Sequence, residues 1–69
     1  MRYDIAVKKL REAMIVSQEE LANIIGVSLV TVNRWEKGRF EPTIKVKRKL
    51  NELFIKYNIN DKEEGNNNE

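Results

Sequence analysis

The sequence predicts an all-α fold, a compact bundle of four to five short helices, and three observations lead there. Apolar residues recur three and four positions apart, the period of an amphipathic helix, and no stretch alternates as a strand would. Each periodic run opens on a residue that can cap a helix: Asp4, Ser17, Ser28 and Thr43. Gly26 and Gly38 stand where runs break, and Pro42 precedes the last run.

The first helix is expected at about residues 4–14, with Asp4 as N-cap and Val7, Leu10 and Met14 as its apolar stripe. Ile15 follows. A β-branched residue tolerates a left-handed cap badly, so this turn is expected to take another geometry. The second helix begins after Ser17. Ser17-Gln18-Glu19-Glu20 is a capping box, a hydroxyl three residues before a carboxylate, and its acidic first turn suits the helix dipole. Gly26 ends this helix. Ser28 caps a third helix reaching about Glu36, with Gly38 closing it. Residues 37–42 read as a loop. Thr43 caps a fourth helix at about residues 44–57, where Val46, Leu50, Leu53, Phe54 and Tyr57 form the apolar stripe.

Composition narrows the function. Sixty-nine residues suit one small domain. The absence of Cys and His excludes a disulfide framework and any Cys/His zinc site, and removes the commonest general base. No apolar run reaches membrane-spanning length and no signal peptide opens the chain, so a cytoplasmic, nucleoid-associated protein is expected. Residues 1–57 carry 12 Lys+Arg against 7 Asp+Glu, a net +5. Residues 58–69 carry 1 Lys against 4 Asp+Glu, a net −3. The reading is a basic domain over 1–57 and an acidic, Asn-rich disordered tail over 58–69.

The stretch QEELANIIGVSLVTVNRWEK, residues 18–37, carries the most information. Leu21, Ile25, Val27, Val32 and Trp35 are apolar at inward spacings, and Ala22 is small where two helices would cross. Gly26 suits a tight left-handed turn. This is the form of a helix-turn-helix, whose second helix can lie in the major groove of DNA. On a wheel, Val32 and Trp35 share the inward side. Val30, Asn33, Arg34 and Lys37 collect opposite, with Leu29 at the edge. Arg34 can donate twice to guanine, Asn33 can pair with adenine or take a phosphate, and Leu29 and Val30 can touch thymine methyl groups. Lys37, Arg39, Lys45, Lys47 and Arg48 lie where phosphates would be clamped, and Lys8 and Lys9 offer a second basic edge. Each lysine alone is equally compatible with ordinary surface solubility; the cluster favours DNA.

The chain resembles the Cro/XRE-type helix-turn-helix family, the DNA-binding domains of lambdoid phage repressors and their bacterial relatives. The resemblance rests on Leu10-Arg11, Ser17 through Ala22, Gly26-Val27-Ser28, Thr31 through Arg39, and Pro42-Thr43. It implies a bundle of the phage-repressor type that binds double-stranded DNA. It also implies that Leu29, Val30, Asn33 and Arg34 face bases. Gln18, Ser28, Thr31, Lys37, Arg39, Lys45 and Arg48 are the expected DNA-backbone contacts. Arg11 and Glu36 match a structural ion pair that joins the first helix to the end of the third. The sequence departs from repressors that carry glutamines at positions 29 and 30, so no operator sequence carries over. It also has Ile15 where the family often has glycine.

A transcriptional repressor acting by occupancy is the leading expectation, because no second domain is evident to sense a ligand. Relatives dimerise, so a weak homodimer, or a dimer formed on DNA, is expected through Ile55 on the fourth helix and Ile59 one turn later on the same side. The alternative is an antitoxin-like or coactivator-like protein adaptor, suggested by Ile44 and Ile55 lying off the main stripe. An enzyme is not expected, since no nucleophile–base pair or phosphate-binding glycine loop can be assembled. No cofactor, metal or small-molecule ligand is expected.

Overall fold

The computed structural model describes residues 1–62. They form α1 (Tyr3–Met14), α2 (Gln18–Ile25), α3 (Leu29–Glu36) and α4 (Ile44–Lys56). Helices α1 and α2 form the floor against which both α3 and α4 pack. The core is Ala6, Val7 and Leu10 of α1, Leu21, Ala22 and Ile25 of α2, Val32 and Trp35 of α3, and Leu50 and Phe54 of α4. Among the described residues it contains no buried polar or charged side chain. Ala22 is buried, as a close helix crossing requires.

The starts of α2, α3 and α4 follow the sequence. The Ser17 hydroxyl accepts from Glu20 N–H at 3.0 Å while the Glu20 carboxylate accepts from Ser17 N–H at 2.8 Å, completing the capping box. Ser28 and Thr43 cap α3 and α4 through their hydroxyls. The start of α1 does not. Its N-cap is Arg2, without a side-chain cap, and Asp4 lies inside the first turn. There Asp4 still suits the helix dipole, and its carboxylate accepts from the Arg2 guanidinium at 2.9 Å. The Arg2 backbone N–H is instead satisfied by Asp61 Oδ2 at 2.8 Å, from the other end of the chain.

Ile15 corrects a second expectation. It takes the left-handed conformation, φ 57° and ψ 53°. Ile15 N–H donates to the Glu12 carbonyl at 3.2 Å and Val16 N–H to the Arg11 carbonyl at 3.1 Å. This paired cap satisfies two carbonyls at the helix end. The isoleucine side chain points into solvent, 88% exposed, while Val16 packs against the core. The left-handed turn at Ile15 is what brings Val16 onto the core.

The boundary at residue 57 is a third correction. Asn58 is left-handed at φ 57°, and Ile59 N–H donates to the Phe54 carbonyl at 2.8 Å. This turn folds Ile59 back onto the core. Lys9 then donates to Asn60 Oδ1 at 3.1 Å and to the Lys62 carbonyl. Residues 58–62 are therefore part of the fold. Ile59 is partly buried against the core while Ile55 stands 72% exposed, so the two isoleucines expected as one surface patch differ in exposure. The expected disorder of residues 63–69 lies outside the described residues.

Candidate nucleic-acid interface

Helix α3 is fixed from three sides. Val32 and Trp35 are buried beneath it. Its entry is the turn at Gly26, where φ is 91° and a Cβ would come no closer than 3.9 Å to another group, the Lys49 ammonium. Space is open there, so the need for glycine is conformational. Lys49 reaches across from α4 and donates to the Ile25 carbonyl at 3.2 Å, a cation at the C-terminal end of α2. Sequence reading missed this role for Lys49.

The exit of α3 is held by Arg11 and Glu36. Arg11 Nε donates to Glu36 Oε2 at 2.8 Å and Arg11 Nη2 to Glu36 Oε1 at 3.2 Å. The contact is bidentate and partly buried. Glu36 is 8% exposed and Arg11 22%. The Glu36 hydrogen bond pushes the Arg11 pKa up, against the opposing effect of burial. Gln18 joins the pair by donating to Glu36 Oε1 at 3.1 Å. Gln18 in turn accepts from Asn33 Nδ2 at 3.2 Å. One chain of polar contacts thus runs from α1 through α3 and the start of α2 back to α3.

This network engages two of the expected site residues, Asn33 and Gln18. Asn33 lies half-buried and committed to Gln18 through one N–H. Its second N–H and its Oδ1 make no hydrogen bond with the described residues. Gln18 has both amide atoms engaged within the protein. Ser28 and Thr31 are also joined, with their hydroxyl oxygens 2.8 Å apart at the start of α3.

Leu29, Val30 and Arg34 are exposed on the outer side of α3. Lys37 and Arg39 are exposed just beyond its end, and Lys45 and Arg48 are exposed on α4. Lys47 behaves differently: its ammonium pairs with Glu41 at 3.2 Å and lies 5.1 Å from the Tyr3 ring centroid. Lys9 is likewise tied to residues 60 and 62, so the second basic edge loses one of its two cations. Phe40, which sequence reading did not single out, is 56% exposed in the loop after α3. An aromatic residue beside Arg39 in a glycine-to-proline loop was the available signal.

Among the described residues no group of acidic, His or Cys side chains has the arrangement of a metal site. Among them, too, no helix is long and apolar enough to cross a membrane.

Comparison with known proteins agrees with this geometry. A helix-turn-helix family profile matches residues 7–56, from within α1 to the end of α4. A protein of Pyrococcus abyssi, provisionally named an HTH-type transcriptional regulatory protein, is 47% identical over 47 residues. That alignment covers 68% of this chain but 15% of the relative, so the chain spans a small part of that protein's length. No solved structure gives a significant match. With the profile covering most of the chain and its turn, caps and cross-helix ion pair in place, the chain belongs to the Cro/C1-type helix-turn-helix family.

Proposed function

We propose that this domain binds double-stranded DNA sequence-specifically, with α3 in the major groove, and regulates transcription as a repressor by occupying its site. The observation that carries the reading is the outer side of α3. Leu29, Val30 and Arg34 stand exposed on a helix held from three sides, and Lys37, Arg39, Lys45 and Arg48 stand exposed around it. A rigid helix with uncommitted donors and methyl groups, bordered by cations, suits base edges flanked by phosphates. The name of the Pyrococcus abyssi relative supports the same class of function. Ser28 and Thr31 at the helix start, and Gln18 at the start of α2, are the proposed backbone contacts, together with the four flanking cations.

One such domain buries a modest interface, so we further propose that two copies pair on a palindromic site. Ile55 remains as an exposed apolar residue for that contact; Ile59 does not. A protein adaptor is the second reading. It is favoured by Ile44, 70% exposed, on the same helix as Ile55.

Selection of bound sites from a random duplex library tests the proposal. A defined motif is expected, with two half-sites about one helical turn apart. Arg34→Ala should cost about 1–3 kcal/mol at that site and relax one base preference. Enrichment of no motif would favour the adaptor. An equal loss on cognate and random DNA would show that Arg34 does not read a base.

A further inference from the structure

The Arg34 guanidinium carbon lies 5.1 Å from the centroid of the Phe40 ring. Phe40 is an unexpected residue to find half in water. It stands on the lip of a groove of about 270 Å³, lined also by Val27, Thr31, Trp35 and Val46. Core packing does not account for it, since 56% of its surface is exposed. What its ring does is meet a cation. The face of an aromatic ring is electronegative and attracts a guanidinium within about 6 Å.

The contact leaves the chemistry of Arg34 intact. A guanidinium carries its five N–H donors in its own plane. Arg34 gives none of them to a described residue. A free arginine side chain populates many rotamers, and ordering it on binding opposes affinity. A ring that holds the group beforehand lowers that cost without occupying a donor.

We infer that Phe40 is a positioning residue for base specificity: its ring holds the Arg34 guanidinium ready to read one guanine. The inference rests on the proposed reading of α3. It assigns the loop after α3 a part in recognition distinct from phosphate contact.

The test has one arm without DNA and one with it. In the free protein, the Arg34 side-chain protons should show ring-current shifts by NMR. These should vanish in Phe40→Leu and persist in Phe40→Tyr. Absence of the shifts in the wild type overturns the inference. In site selection, Phe40→Leu should weaken cognate binding by about two- to fivefold. It should flatten preference at the one base pair that Arg34→Ala also affects, and Phe40→Tyr should restore it. In an Arg34→Ala background, Phe40→Leu should change nothing further at that base pair.

An unchanged preference in Phe40→Leu, with the motif still selected, overturns the inference and leaves the DNA-reading proposal standing. Tighter cognate binding by Phe40→Leu also overturns it, because the ring would then be withholding Arg34. A wild-type protein that selects no motif overturns the DNA-reading proposal, and this inference with it.

Discussion

At the scale of single residues, the Glu36 carboxylate has the most partners at stake. It accepts from Arg11 twice and from Gln18 once while being 8% exposed. Exposed ion pairs contribute under about 1 kcal/mol, whereas removing one member of a buried pair costs about 3–5 kcal/mol. With Arg11 22% exposed, the pair sits between these limits. Glu36→Leu should therefore cost about 2–3 kcal/mol. A double-mutant cycle with Arg11→Met, read by urea denaturation, should give coupling above about 1 kcal/mol. Additive single effects would show that the two side chains stabilise the fold independently. A second residue-scale effect is acid-dependent. The Arg2 backbone N–H, chiefly, holds the Asp61 pKa below its ordinary 3.8. A lowered folded pKa means that the contribution of Asp61 is fully present above pH 3.8 and is lost as pH falls through the lower folded value. NMR titration of the Asp61 carboxyl should give a midpoint below 3.8, with the Arg2 amide moving in step. A midpoint at or above 3.8 would mean the two ends do not meet in solution.

At the scale of elements, all four helices end alike. A left-handed residue follows each of them: Ile15, Gly26, Gly38 and Asn58. In three cases the next residue, Val16, Val27 or Ile59, packs against the core. The helix end is thus fixed by an apolar anchor as much as by the residue that makes the turn. This explains what the sequence disclosed and what it hid. Glycines at 26 and 38 announce their turns because glycine is the residue least strained there. Ile15 and Asn58 do not announce theirs, and the signal was the apolar residue one step later. Helix starts were legible wherever a hydroxyl side chain made the cap. The start of α1 was not, since its N–H partner is 59 residues away. Similarly, helical spacing placed Val32 and Trp35 inside and Val30 and Arg34 outside. It missed the Asn33–Gln18 bond and the Arg34–Phe40 contact, which depend on tertiary geometry. Ile15 gives the test. A left-handed backbone costs a side-chain-bearing residue about 1–2 kcal/mol. Glycine removes that strain, and its greater freedom in the unfolded chain takes back about 0.5–1 kcal/mol. Ile15 buries almost nothing that could be lost. Ile15→Gly should therefore raise stability by about 0.5–1 kcal/mol. A destabilised variant in thermal denaturation would show that Ile15 makes contacts in solution that outweigh its strain.

At the scale of the whole molecule, the described fold continues past residue 57, to residue 62. Residues 58–62 carry Ile59 on the core, Asp61 on the start of α1 and Asn60 on Lys9. Residues 63–69 carry no apolar side chain and three carboxylates, Glu63, Glu64 and Glu69. Ending the chain after residue 57 removes a half-buried isoleucine, worth about 1 kcal/mol. It also strips the α1 N-terminus of its partner. In a domain this small, each kcal/mol moves Tm by about 4–8 °C, so a fall of at least that size is expected. Ending it after residue 62 removes no apolar side chain and should leave Tm nearly unchanged. That shorter loss should act on DNA instead. Three negative charges on the same chain as a net-basic domain oppose binding to any polyanion, and their removal should raise non-specific affinity at low salt. The gain should fade as the Debye length contracts to about 8 Å near physiological ionic strength. Two truncations measured by thermal melting and by salt-dependent binding to random duplex therefore separate the two contributions. Equal Tm values for both truncations would show that Ile59 does not stabilise the domain. Identical low-salt affinity with and without residues 63–69 would remove the electrostatic role of the acidic end.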